Sequence, residues 1–138
     1  MTMATTIASF DDLLRSARAQ EQPQRLLFVF TAAELPADAT PAQRAGFAAG
    51  HGGTLTPLMC VDKTPDELAS FAALREESAQ LGQTWHIVFV AALSGSGGIG
   101  ATPLDAEVHL QRMVEAIKSG SIERFIPFDA QGNTVQFT

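Results

Sequence analysis

Three sets of residues in this sequence have types and spacings that could support chemistry. The first is Gly95-Ser96-Gly97-Gly98-Ile99-Gly100, a G-x-G-x-x-G string after an apolar run. Glycines so spaced let backbone N–H groups approach a pyrophosphate at a helix N-terminus. Two details oppose a dinucleotide site. The third glycine of such a fingerprint lies inside the helix, whereas here Thr102-Pro103 restarts the helix after Gly100. The acidic ribose ligand belongs about 20 residues further on. Asp129 lies 29 positions beyond Gly100 (129 less 100), with only nine residues after it. No Gly-Lys-Ser/Thr follows, so the string is not a P-loop either. It reads as a flexible loop.

The second set is Cys60 with Lys63. A lysine near a thiol lowers its pKa and makes a nucleophile or redox sensor. No C-x-x-C accompanies it, and unpaired cysteines are among the most buried residue types, so Cys60 reads as core. The third set is His51, His86 and His109, none of which has a His or Cys at metal-ligand spacing. His51 lies in a glycine-rich stretch, His86 opens an apolar strand, and His109 sits between Asp105 and Arg112 on a solvated helix face. Glu76 and Glu77 are adjacent on a helix, diverge by about 100° and cannot act as a carboxylate pair. There is no Gly-x-Ser-x-Gly elbow. No catalytic residue, metal site or cofactor is therefore expected.

The 138 residues should make one domain, 1–138, with 1–8 expected to be a disordered tail. Nine basic residues face fifteen acidic ones, for a net charge of −6. The basic residues lie singly, which excludes a general nucleic-acid binder and an anionic-membrane binder. No apolar run approaches the ~18 residues of a spanning helix. A single cysteine and the lack of a basic-then-apolar leader favour the cytoplasm. Only 17% of residues are charged, below the ~25% of an average soluble protein. With 22 alanines, that leaves a surface with little to oppose self-association, so a homo-oligomer or a protein partner is expected.

The elements that must hold these residues read as α-β-α-β-α-β-α-β-β. Ser9 caps a helix with Phe10, Leu13, Leu14 and Ala17 on one face. Leu26–Ala32 and Trp85–Leu93 are apolar without alternation, as strands buried on both faces are, and belong at the sheet centre. Leu55–Val61 is a strand placed toward an edge by Pro57. Thr40-Pro41, Thr64-Pro65 and Thr102-Pro103 are helix starts, and Thr64 with Glu67 has capping-box spacing. The helix from Pro65 should run along Leu68, Phe71, Leu74, Ser78 and Leu81 to Gly82. The last helix should present Leu104, Val108, Leu110, Val114 and Ile117. Ile122–Phe128, a turn at 129–133 and Thr134–Phe137 form a hairpin pattern.

Alternating strands and helices predict an α/β three-layer sandwich. Its mostly parallel central sheet has about five strands, ends in an antiparallel hairpin and carries helices on both faces. If the first three strands are parallel, their carboxyl ends bring Thr31, Glu34, Asp62, Lys63, Ser94 and the 95–100 loop to one sheet edge, where ligands bind in such folds. Asp62, Lys63, Ser94, Gly95, Gly97 and Gly100 are thus the candidate small-molecule or nucleotide-binding residues. A thioredoxin-like relative without its redox pair is a further fold reading, from the strand and hairpin around Phe125–Asp129.

Phe10–Leu14, Gln24–Phe30, Met59–Lys63, Val88–Gly95 and Gln111–Lys118 together carry a resemblance. Nearly end to end, the chain resembles a group of small proteobacterial proteins of unknown function, many labelled ribonucleotide reductase subunit alpha. The likeness lies in overall text and not in a catalytic motif, so it assigns no functional residue. That reductase's chemistry runs through several cysteines in a barrel several times this length. For a chain with one cysteine, the resemblance implies at most an accessory role.

Overall fold

The computed structural model describes residues 7–35, 37–48, 54–82 and 84–136. The elements in chain order are α1 (Phe10–Arg18), β1 (Gln24–Glu34), α2 (Pro41–Ala48), β2 (Thr54–Lys63), a 3-10 turn (Pro65–Glu67), α3 (Phe71–Ala79), β3 (Ile87–Ser94), α4 (Pro103–Lys118) and β4 (Ile126–Asp129). They form one four-stranded sheet in the order β2-β1-β3-β4, and every neighbouring pair is antiparallel.

This corrects the mostly parallel five-stranded sheet. The layers are as expected, with helices on both faces, but the strand directions are not. β2 and β3 do run the same way, as a strand-helix-strand unit predicts. β1 lies reversed between them, so neither finds a parallel neighbour. Burial on both faces produces an unbroken apolar strand whatever its direction, and so the pattern reports layers and not polarity. The sheet order also excludes the thioredoxin-like reading, whose central strands are parallel.

The two most apolar strands, β1 and β3, are central, and Pro57 sits on edge strand β2. Phe30 pairs with Met59 but Thr31 pairs with Pro57, leaving Leu58 as an extra residue in a bulge beside the proline. Alternate residues of β1 serve the two cores. Leu26, Phe28 and Phe30 pack with Val88, Val90 and Phe128 under α1 and α3. Leu27 and Val29 pack with Phe89 under Ala106, Leu110, Met113 and Ile117 of α4. The buried stripe of α4 is therefore 106, 110, 113 and 117, and Leu104 and Val108 face outward at 70% and 43% exposure. No helix among the described residues is long and apolar enough to cross a membrane.

Phe10 is the hub of the first core. Its ring lies 6.0 Å from Phe28, 5.1 Å from Phe71 and 5.5 Å from Phe128, so one side chain joins α1 to β1, α3 and β4. Residues 8–10 and 132–134 meet beside it. Phe10 N–H donates to Gly132 O (2.8 Å) and Thr134 N–H to Ala8 O (3.2 Å). Gly132 has φ +84° with the Phe71 ring 3.0 Å from where a Cβ would stand, so both torsion and space require glycine. Of the expected second hairpin strand, Thr134–Phe137, the described residues show a single bridge, Phe128 with Thr134, and residue 137 lies outside them. Residues 1–6 of the expected tail lie outside the described residues, while Ile7 packs on the first core.

The helix starts follow the sequence closely, with one exception. Ser9 Oγ accepts from Asp12 N–H, and the Asp12 carboxylate accepts from Ala8 and Ser9 N–H. Thr102 with Asp105, and Thr40 with Gln43, form the same reciprocal pair. At Thr64, the Glu67 carboxylate accepts from both the backbone N–H and the hydroxyl, so the expected partners meet, but the helix they start is short. The helix there stops after three residues, Leu68 drops into the core at 2% exposure, and α3 starts anew with Ser70 Oγ accepting from Ala73 N–H. Arg18 covers the interruption by donating to the Pro65 and Leu68 carbonyls. Ser78, on the buried face of α3, accepts from Trp85 Nε1–H (2.7 Å) and donates to Arg75 O.

Two predictions follow from this packing. Phe10→Ala should lower the unfolding free energy by about 3–5 kcal/mol, measured by urea denaturation; a loss below about 1 kcal/mol would deny Phe10 its joining role. The capping carboxyls of Asp12 and Asp105 are held below the ordinary carboxylate range, chiefly by the backbone N–H of Ala8 and of Thr102. Their contribution is present above the unfolded-state pKa and lost as pH falls through the lowered folded values. The Asp12→Asn, Asp105→Asn double variant should therefore lose less stability on acidification than the parent.

Candidate functional site

The antiparallel sheet redistributes the residues expected at one ligand-binding edge. The start of β1 lies beside the ends of β2 and β3, since Leu27 pairs with Asp62, Leu26 with Lys63 and Gln24 with Ser94. Asp62, Lys63, Ser94 and the 95–100 loop do share one end of the sheet. Thr31 and Glu34 lie at the other end, where Thr31 Oγ1–H donates to Ile87 O and Glu34 accepts from Thr56.

At the shared end each candidate side chain, Asp62, Lys63 and Ser94, already has a partner within the protein. Asp62 is paired with Arg25 (2.5 Å), whose Nε–H also donates to Ala101 O. Lys63 is paired with Glu77 of α3 at 2.9 Å. Neighbours on a strand face opposite ways. Asp62 looks toward α4 and Lys63 toward α3, so they cannot hold one ligand between them. Ser94 Oγ accepts from Gln24 Nε2–H at 2.9 Å.

The glycine string is a turn. Ser96 N–H donates to Ile99 O and Ile99 N–H to Ser96 O, at 2.9 and 3.0 Å. Gly97 and Gly98 between them have φ +59° and +78°. Two successive positive-φ residues inside a doubly bonded pair make a two-residue hairpin of the type that favours Gly-Gly. A Cβ on Gly95 would overlap the Ile99 carbonyl. Gly98 N–H donates to Gln22 Oε1 and Gly95 N–H to Pro23 O, anchoring the hairpin to the start of β1. Four backbone donors that a phosphate would need are thus engaged. The string forms no dinucleotide cradle and is a defined turn in place of the expected flexible loop.

Cys60 is exposed, which corrects its assignment to the core. It stands on β2 facing α4, beside Asp62 in an open groove of about 580 Å³ that Glu107, Leu110, Gln111 and Val114 complete. Partial burial, and then the Asp62 carboxylate, push its thiol pKa up. Lys63 looks to the other face and does not activate it. His86 Nδ1 accepts from Ala33 N–H, His109 Nδ1 meets Asp105 O at 3.1 Å, and His51 lies outside the described residues. Among the described residues, no three His, Cys, Asp or Glu side chains are grouped to hold a metal ion.

A second cavity, of about 620 Å³, opens between α4, β3 and the 121–125 segment. Leu27, Ala91, Met113 and Phe125 give it an apolar lining, and His109, Arg112, Arg124 and Glu123 supply its polar groups. Sequence reasoning passed over both arginines as isolated surface charges. The one signal available was their position, on the exposed side of α4 and just beyond its end. No protein-family model, curated protein or solved structure matches the chain.

The Cys60 environment carries a prediction. A raised thiol pKa leaves less thiolate at neutral pH than an ordinary cysteine has. Alkylation by iodoacetamide should accelerate only at higher pH than for a free-thiol reference peptide. A midpoint below the reference would restore an activated cysteine.

Proposed function

We propose that this chain is a non-catalytic binding protein that acts by pairing with a second copy of itself along β2. The observation that carries the reading is the state of the two sheet edges. β4 has four residues, and the chain folds back over its outer side through Val135 N–H to Pro127 O and Asp129 N–H to Asn133 O. β2 has ten residues, and its outer edge has no strand partner among the described residues.

Edge strands are commonly guarded by free charge, especially lysine, or by proline and bulges. β2 has Pro57 and the Leu58 bulge in its first half. Its only charged residues, Asp62 and Lys63, are both bound to other parts of the same molecule. The stretch from Met59 to Lys63 is left as regular strand. A second β2 laid antiparallel about a two-fold axis would continue the alternation of the sheet. The sparse charge of the whole chain supports the same reading.

Sedimentation velocity should show a dimer or larger species at about 100 μM, and Cys60→Lys, which places a charge on the open strand, should shift it to monomer. A wild-type monomer at that concentration would overturn the reading.

A further inference from the structure

The cavity on the α4 side of the sheet holds the only two cationic side chains, among the described residues, that have no protein partner. All nine lysines and arginines of the chain are described. Arg15, Arg25, Lys63 and Lys118 are within ion-pair distance of carboxylates. Arg18, Arg44 and Arg75 donate to backbone carbonyls. Arg112 and Arg124 do neither, and both line this one cavity. The chain has six more acidic than basic residues, yet these two guanidiniums have no carboxylate partner. Glu123, which could have neutralised one of them, lines the same cavity without an ion pair to either.

We propose that this cavity binds a small organic anion that carries an apolar part. The guanidinium fork matches the geometry of carboxylates and phosphates, and either acid suits the pair. The two arginine charges outnumber the single Glu123 carboxylate among the lining side chains. Beneath them, Leu27, Ala91, Met113 and Phe125 belong to or pack on the second core and give a fixed apolar surface. A cavity of about 620 Å³ falls within the ~300–1,000 Å³ range of small-molecule sites. A bare inorganic anion would leave that surface uncovered. None of its lining residues belongs to β2.

Thermal unfolding with phenyl phosphate, 4-phenylbutyrate, inorganic phosphate and benzyl alcohol as probes tests the proposal. At ten times its Kd an apolar anion should raise Tm by roughly 5 °C, and whichever of the two acids does so identifies the acid group preferred. Benzyl alcohol should do nothing and inorganic phosphate much less. Arg112→Gln with Arg124→Gln should abolish the shift while leaving the unliganded Tm unchanged, since both side chains are exposed. Cys60→Lys should retain it, which separates this result from the oligomeric state. No shift with either apolar anion, an equal shift in the double variant, or an equal shift with inorganic phosphate would overturn the proposal.

Discussion

Strand β1 is buried on both faces and paired along both edges, and the rest of the molecule is arranged to keep it so. Leu26, Phe28 and Val29 have no solvent exposure. Two separate apolar layers must therefore exist, and each needs its own helices. α1 and α3 supply one and α4 the other. Burying a large apolar side chain stabilises by about 1.5–3 kcal/mol, so covering only one face of β1 would forfeit several such contributions. The same demand explains the broken helix after β2. Continuing it from Pro65 would carry Leu68 along a straight face, whereas the interruption lets Leu68 enter the core and restarts α3 with Phe71 above the Phe10 ring.

Helix starts, the central position of β1 and β3 and the edge position of Pro57 were legible because each is a local or compositional signal. A capping box needs only four residues, and a doubly buried strand announces itself by lacking polar alternation. Strand direction was not legible, because no residue in Leu26–Ala32 depends on whether its neighbour runs up or down. The last strand failed for another reason. Thr134 and Val135 do turn back along β4, but Asn133 and Thr134 also meet Ser9 and Ala8, and this pairing with the N-terminal segment replaces an extended hairpin.

The candidate site shows the same division. In the sequence the glycine string reads as a flexible loop, and the turn it forms is not legible there. Positive φ at Gly97 and Gly98 and the crowding at Gly95 are turn requirements, and they resemble a phosphate-binding fingerprint only because both uses exploit the missing Cβ. Cys60 defeated a statistical expectation. Alternation along β2 points it toward α4, but on an edge strand that face is only partly covered. Arg112 and Arg124 are twelve positions apart and share no motif, so only the return of the chain after α4 places both on one cavity.

Low charge content has two separate consequences in this fold. Most of the cations and several acids are committed to internal work: capping helix starts, tying Arg25 to Asp62 and Lys63 to Glu77, and covering carbonyls left by the broken helix. That use removes charge from the β2 edge, where it would otherwise oppose pairing with another strand. It also makes any uncommitted charge informative. An exposed arginine on a highly charged protein says little, because solvated cations are common and nearly neutral in energy. Here seven of nine cations are engaged, and the remaining two line one cavity with an apolar part. Their placement therefore reads as a site, while the Asp62–Lys63 pair, which looked more chemical in the sequence, reads as structure.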